Sequence, residues 1–518
     1  MLTTLEQPDM FTLVERSEIL SWMSVGFDIY GAYDIGSALN AVIFDPAKAP
    51  VKDKVTPVGK LPKYLDYRPH GESKLLVISA ESRESYQDQL AARASVEVGY
   101  GAFSGHLEAS FDSSVAQSAN NSYSTITFQN MFGHVVQTDF DEAFLSDAFL
   151  KRLKALPDKT TPETLPAFSD FFKDFGAYFV SRITLGASLD YSVAISKSSR
   201  IETQKVTAKA EAEYNGLFVS GKVSAEMTSE KEWQTYRSER RTSLRVRGGA
   251  DEERAMLNRI NPKSLDSFVP ATKENFDEWQ ATTPLNQAVM GFNLSGIWEA
   301  CGAKRQLVEQ AFREYGKMMR PLLNVRTTQS IQKAPAVYLG GMEAQNKTAP
   351  GDIGWRVMAI DRKDPSLHGI RFDKLFSLDG PDYTVGYRKM YSDMFGELAR
   401  FRSNDYFLVF SAYGMADGFV PPPDIQNLMR EAGAGEMLDA WIKQVPTPGT
   451  SYMRNKVNYT LVGSPGIGPG SGVEISNMSP MSDPAVKSST LEMYFYSLGS
   501  GRPYVLGSVL RKLTAASE

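Results

Sequence analysis

Few residues in this 518-residue chain have the type and spacing that catalysis needs. Its four histidines, His70, His106, His134 and His368, lie far apart in sequence, so a histidine-based metal site is not expected. The single cysteine, Cys301, can form no internal disulfide. No Gly-x-Ser-x-Gly elbow and no His-Glu-x-x-His helix occurs. The run Gly466-Ile-Gly468-Pro-Gly470-Ser-Gly472 has the glycine density of a phosphate cradle. It holds a proline, precedes no helix pattern and lacks the lysine such a cradle uses, so it reads as a connecting loop. Asp417, Asp424 and Asp439 could offer carboxylates to a divalent cation, although loop aspartates usually cap turns. No acid–base pair and no activated nucleophile emerges. The expectation is a protein that is not an enzyme and has no cofactor, with a divalent cation in the C-terminal part left open.

The chemistry is therefore in the elements, and one stretch organises them. Residues 171–191 combine an apolar aromatic run (Phe171, Phe172, Phe175, Tyr178, Phe179) with inset glycines at Gly176 and Gly186. Glycine inside a strand pattern marks a bend, a bulge or a close backbone approach. The stretch reads as the bent central strand of a large sheet. Around it, residues 147–156, 160–172, 251–260 and 303–319 have helical spacing, and 18–45 and 73–82 read as strands.

Two flanking segments are unusual. Residues 94–131 contain no lysine or arginine and are dominated by small residues. Their apolar residues alternate on one parity (Val96, Val98, Tyr100, Ala102) and then on the other (Phe103, Leu107, Ala109, Phe111), which is strand-like patterning with a break. In residues 188–240, Val206, Ala208, Ala210, Ala212 and Tyr214 alternate with polar residues. Asn215-Gly216 follows, and then Leu217, Val219, Val223, Ala225 and Met227 alternate again. Asn-Gly between alternating runs predicts a hairpin whose arms put both apolar parities on one face. The arms approach the ~9–11 residues of a tilted transmembrane strand. Yet they are rich in Ala, Glu, Lys and Met, which favours helix in water. A segment patterned for one state and composed for another points to two functional states. A plain exposed hairpin is the alternative. Gly248-Gly249 closes the region with a corner.

At 518 residues the chain fits more than one domain, at roughly 100–200 residues each. Its 42% hydrophobic and 23% charged content is that of a soluble globular protein, and a net charge of -5 argues against a nucleic-acid partner. The N-terminus has no basic start followed by an apolar core, so no signal peptide is expected, and no run reaches the ~18 apolar residues of a spanning helix. The polar stretch 324–335 reads as a linker between domains 1–323 and 336–518. In the second, strands beginning at Tyr406, Tyr459 and Tyr504 recur at roughly fifty-residue intervals between Gly/Pro-rich loops, suggesting three small sheets about a pseudo-threefold axis. A single irregular β domain is the alternative.

Phe175-Gly176-Ala177-Tyr178-Phe179, followed by Gly186-Ala187, resembles the signature of the membrane attack complex/perforin (MACPF) family, with Ala177, Tyr178 and Ala187 departing from it. The two flanking segments and Gly248-Gly249 sit where that family has its convertible excursions and bend pair. The resemblance implies an α+β fold, with a bent, twisted central antiparallel sheet flanked by two helical clusters. Behind it an all-β pseudo-threefold β-prism is expected, as in bacterial perforin-like proteins, some of them insecticidal. It also implies a protein released without a signal peptide that binds a target-cell membrane through a glycan, lipid or protein receptor. It would then self-associate into a ring and insert residues 94–131 and 188–240 as hairpins. A non-lytic cell-binding or delivery protein of the same fold is the alternative. Candidate hinge residues are Phe175, Gly176, Tyr178, Phe179, Gly186, Gly248 and Gly249. Candidate receptor contacts are Tyr413, Asp417, Asp424 and Ser464.

Overall fold

The computed structural model describes residues 16–97, 100–219, 230–260, 270–378, 380, 382–445, 453–499 and 501–516. It divides into two compact units. The first takes the chain to Glu81 with Ser85–Phe111 and Ser122–Gly316. The second takes Ser82–Glu84, Asp112–Asn121 and the chain from Lys317.

The first unit is built on a seven-stranded sheet of β1 (Val25–Phe27), β2 (Ala38–Val42), β3 (Leu65–Ala80), β4 (Asn121–Gln137), β5 (Tyr178–Ser196), β6 (Arg241–Arg247) and β7 (Ala288–Gly296). The order is β2-β1-β5-β4-β3, with β6 and β7 also paired to β5. Pairing is antiparallel, with β7 taking the lower half of β5 (Tyr178↔Gly296 to Gly186↔Ala288) and β6 the upper half (Ser188↔Arg247 to Ala194↔Arg241). β5 is 19 residues long, several times the usual ~5–6, and buried almost throughout, as a strand covered on both faces must be. Leu189, Tyr191, Val193 and Ile195 enter an apolar core. The alternating Asp190 and Ser192 line a polar cavity on the other face.

Helices close the sheet: α1 (Arg83–Arg93), α2 (Leu165–Phe175), α3 (Thr203–Tyr214), α4 (Glu230–Glu239), α5 (Pro270–Thr282) and α6 (Arg305–Met318). α2 buries Phe168, Phe171, Phe172 and Phe175, a helical stripe. Pro166 occupies its first turn, where a missing N–H costs nothing, and Gly176 at φ 77 ends it. The aromatic half of the expected central strand is thus helix. The strand itself starts at Tyr178.

The second unit departs from the expected prism. A five-stranded sheet contains Met342–Glu343, β8 (Leu322–Thr328), β9 (Ala336–Leu339), β15 (Lys487–Tyr496) and β16 (Val505–Ala516). A six-stranded sheet contains β10 (Gly354–Asp361), β11 (Ile370–Ser377), β12 (Tyr406–Tyr413), Met415–Ala416, β13 (Asn455–Gly463) and β14 (Val473–Pro480). The central strands of the six-stranded sheet are buried on both faces. Met358, Ile360, Phe407 and Val409 meet the other sheet through Val325, Leu491 and Phe495. Trp355, Val357, Leu408 and Phe410 pack on α7 (Tyr383–Leu398), α8 (Pro423–Glu431) and α9 (Glu436–Lys443). Three helices and two sheets replace an all-β domain of three sheets. The tyrosine-led strands do not make one sheet each either. β12 and β13 are direct neighbours (Leu408↔Gly463), and the strand after Tyr504 lies in the other sheet.

Residues 324–335 are no linker. β8, which begins two residues earlier, is an inner strand paired with both β9 and β15. Its polar residues hid it, although buried Asn324 donates to Glu492 and buried Thr327 bonds the Ala412 carbonyl. The compact units meet in sequence at Gly316/Lys317 rather than near 323.

Candidate functional site

The expected hinge residues divide into two sets along β5. Phe175, Tyr178 and Phe179 are buried at its lower end. Tyr178 packs against Trp298 and Phe312 with ring centroids 5.2 and 5.4 Å away, and its hydroxyl accepts the Glu97 backbone N–H at 3.4 Å. Burial pushes its phenol well above the ordinary range.

The second set is a bend. A Cβ on Gly186 would lie 2.1 Å from the Asn130 carbonyl oxygen, and one on Gly248 would lie 2.7 Å from the Gly186 carbonyl oxygen. Gly248 and Gly249 have φ of 69 and 76. The Trp279 indole fills the space beside Gly249 and donates to the Gly248 carbonyl at 2.8 Å. Only glycine fits these backbones where they touch.

Above this bend, the two excursions cover opposite faces of β5. Among the described residues the first is helical and strand-free up to β4. α1 is followed by the one-turn helices His106–Ser110 and Ser113–Ala116. The expected excursion 94–131 is therefore displaced, because β4 starts at Asn121 and its residues to Met131 are already paired with Glu72–Ala80. The threonines and aromatics of 122–131 suit a half-buried strand, and the helical part extends back to Arg83 instead.

Between this excursion and the sheet lies a cavity of about 40 Å³, lined by Tyr86, Arg93 and His106 from the excursion and by Asp190, Arg245 and Arg247 from the strands. Arg247 pairs with Asp190 at 2.7 Å and Asp34 at 3.0 Å. Arg245 pairs with Asp34 at 3.3 Å and donates to the Ala109 carbonyl, also at 3.3 Å. His106 stacks on Tyr86 and has Nε2 3.3 Å from Ser110 Oγ, while its Nδ1 is buried without a hydrogen-bond partner among the described residues. Burial, then the Arg245 charge, pushes its pKa down to about 3.

The second excursion covers the apolar face. α3, the π-helical turn Asn215–Val219 and α4 pack Val206, Ala210, Tyr214, Leu217, Phe218, Trp233 and Tyr236 onto Leu189, Tyr191 and Val193. The described part of the expected hairpin, up to Val219, is thus helix. Val206, Ala210 and Tyr214 sit four residues apart on the buried stripe, Ala212 is partly buried, and Ala208 and Val219 are exposed. Asn215 and Gly216 continue a helical path rather than turn a hairpin, because Ala- and Glu-rich sequence takes helix when a sheet face is present to bury one stripe. Val223, Ala225 and Met227 lie outside the described residues.

A charged tie holds this excursion down. The buried Glu213 carboxylate accepts from Tyr191 on β5 at 2.8 Å and from Tyr236 on α4 at 2.9 Å. It pairs with buried Arg240 at 3.1 Å. Burial, reinforced by the neighbouring acid, keeps both phenols far above their usual range. Buried Lys209 reaches Glu232 at 3.5 Å beside the Trp233 ring. Sequence reading placed Lys209 and Glu213 on a polar parity, took His106 only as one of four separated histidines, and passed over Arg240, Arg245 and Arg247. The one available signal was Arg245 and Arg247 recurring at period two inside a strand.

The candidate receptor residues fare differently. Asp417 is fully buried and accepts from the backbone N–H groups of Arg454 and Asn455 at 3.0 and 3.1 Å. Ser464 is buried and donates to Tyr406 O at 2.8 Å, and Tyr413 is buried. These three tie the second unit together and offer no surface. Asp424 is exposed in the first turn of α8. Asp439 pairs with Arg430. Among the described residues no cluster of three or more His, Cys, Asp or Glu could hold a metal ion. None of the described helices is long and apolar enough to cross a membrane.

A sequence profile of the MAC/Perforin domain matches residues 17–321. No curated protein sequence matches the chain. Among solved structures, GNIP1Aa from Chromobacterium piscinae is similar over 92% of this chain and 88% of its own, at 16% identity and a TM-score of 0.45. A cell invasion protein with a MAC/Perforin domain from Bacteroides thetaiotaomicron is similar over 62% and 69%, at 10% identity and a TM-score of 0.38. The cytotoxin suilysin from Streptococcus suis is similar over 87% and 69%, at 8% identity and a TM-score of 0.21. At such scores these likenesses carry no argument of their own.

Proposed function

The chain belongs to the MAC/Perforin domain family, a perforin-like pore-forming family, and from that premise we propose that it is a pore-forming protein whose two excursions refold into membrane-crossing hairpins. The observation that carries this reading is the two-faced β5. Its upper half already alternates Asp190 and Ser192 with Leu189, Tyr191 and Val193, the polar-in, apolar-out pattern of a barrel strand. In water each face is covered by one helical excursion. Lifting both excursions and extending the strands would leave a ribbon with a lumen side and a lipid side.

Self-association is part of the proposal for a physical reason. Strands enter lipid only when every backbone group is paired, which requires a closed barrel of many copies. β3 supports this, since it stands at an end of the sheet order and leaves Arg68–Glu72 exposed for a neighbouring copy to pair. The target-cell membrane, a glycan, lipid or protein receptor there, and action after release from the producing cell belong to the same proposal, as does an insect-gut target. No step in it is catalytic, and no cofactor is invoked.

One lock tests it. Thr207 on α3 donates to Ser79 on β3 with their hydroxyls 2.7 Å apart, close enough for the double variant S79C/T207C to form a disulfide. The oxidised protein should bind target membranes and release no dye, and reduction should restore leakage. Leakage from the locked protein would sink the insertion mechanism. The second reading, a cell-binding protein that never lyses, draws on the buried Glu213–Arg240 tie. In that case the reduced, unlocked protein releases no dye either.

A further inference from the structure

We propose that the ribbon formed by Val51–Thr56 and Gly59–Pro62 is a docking surface for an anionic lipid headgroup layer. This ribbon is a two-stranded sheet of its own, separate from the seven-stranded sheet of its unit. Isolated two-stranded ribbons are marginal in water, and this one is held through its turn and its second strand. Val58 and Leu61 are buried, and Lys52 is paired with Asp66 and donates to the Leu65 carbonyl. Most of the first strand faces solvent. Val55 is 69% exposed, more than any other large hydrophobic residue among those described, and Val51 is 47% exposed on the same strand.

The charge around those valines is one-sided. Residues 46–63 hold five lysines against one aspartate, Asp53, in a chain of net charge -5. Lys48 and Lys52 have acidic partners. Lys54, Lys60 and Lys63 are exposed and have no ion pair recorded among the described residues, and Lys60 stands opposite Val55 in the register. An exposed apolar strand face flanked by Lys54, Lys60 and Lys63 fits the headgroup zone of a negatively charged bilayer. Lysine stems lie along the apolar boundary with their charges on phosphates, while the valine leaves water.

This inference does not depend on pore formation, so it is scored by binding and never by leakage. The full chain is sedimented with vesicles of phosphatidylcholine alone and of phosphatidylcholine containing about a third phosphatidylserine, at low and at high salt. The expected result is capture by the anionic vesicles only, weakening with salt. Each lysine removed should weaken binding about fivefold, and K54Q/K60Q/K63Q on the order of a hundredfold. As a second measurement, Val55→Trp should show a blue-shifted emission on anionic vesicles and none on neutral ones. The proposal is overturned by equal capture on both compositions, by undiminished binding of a triple variant with an unchanged circular dichroism spectrum, by a tryptophan that stays in water, or by capture on heparin without capture on vesicles.

Discussion

Glu213 is the residue on which the second excursion turns. Its carboxylate lies buried among Tyr191, Tyr236 and Arg240, so removing its charge strands a buried guanidinium. Glu213→Gln should destabilise the first unit by about 3 kcal/mol, whereas Glu213→Leu with Arg240→Met should recover most of that loss. Urea denaturation of the three proteins checks the pair. His106 gives a pH dependence with a definite sign. Its pKa falls from 6.5 in the unfolded chain to about 3 in the folded one, chiefly through burial. The stability it contributes is complete above pH 6.5 and drains away as pH falls through the window down to about 3. His134, lowered to about 4 by burial, adds in the same direction. At about pH 4.5 the loss from His106 is on the order of 2–3 kcal/mol. His106→Gln should flatten the acid limb of a melting-temperature profile. An unchanged limb would show that the buried imidazole is not what titrates.

At the scale of elements, α3 carries two periods in one sequence. Val206, Ala210 and Tyr214 make a helix stripe at intervals of four, and with Ala208 and Ala212 they make a strand face at intervals of two. Ala208 separates the two states, because it is exposed on the helix but would face lipid on the strand. Ala208→Arg should leave the melting temperature and circular dichroism spectrum unchanged. It should also suppress dye release strongly, since a charge on the lipid face of a barrel costs about 2–4 kcal/mol per subunit. Undiminished release would place this face away from lipid.

At the scale of the molecule, the boundary between units is not a single point in the chain. Asp112–Asn121 belongs to the second unit, where Asn120 donates to the carbonyls of Gly470 and Gly472 at 2.7 and 2.6 Å, and Ala119 joins the core of Val325 and Leu491. A fragment beginning at Lys317 should therefore melt below the same unit in the intact chain. Adding the peptide 112–121 in trans should raise its melting temperature, as measured by calorimetry. The glycine-rich loop dismissed as a phosphate cradle is thus one half of this clasp. Much of the first unit was legible in the sequence: the long β5 with its glycine bend, the closing pair Gly248-Gly249, the helices found at Asp147–Lys154, Leu165–Phe175, Asp251–Asn258 and Arg305–Met318, and the conflict between strand pattern and helix composition in 206–219. These are local properties, set by backbone freedom at glycine, by propensity and by periodicity. The sequence could say that β5 has two faces, but not that one excursion covers each. It could not tell that β8 is an inner strand, that Asp417 and Ser464 are buried staples, or that Glu213 and Arg240 meet. Those outcomes depend on which distant segment supplies the covering surface and the partner charge, and only the folded chain decides that.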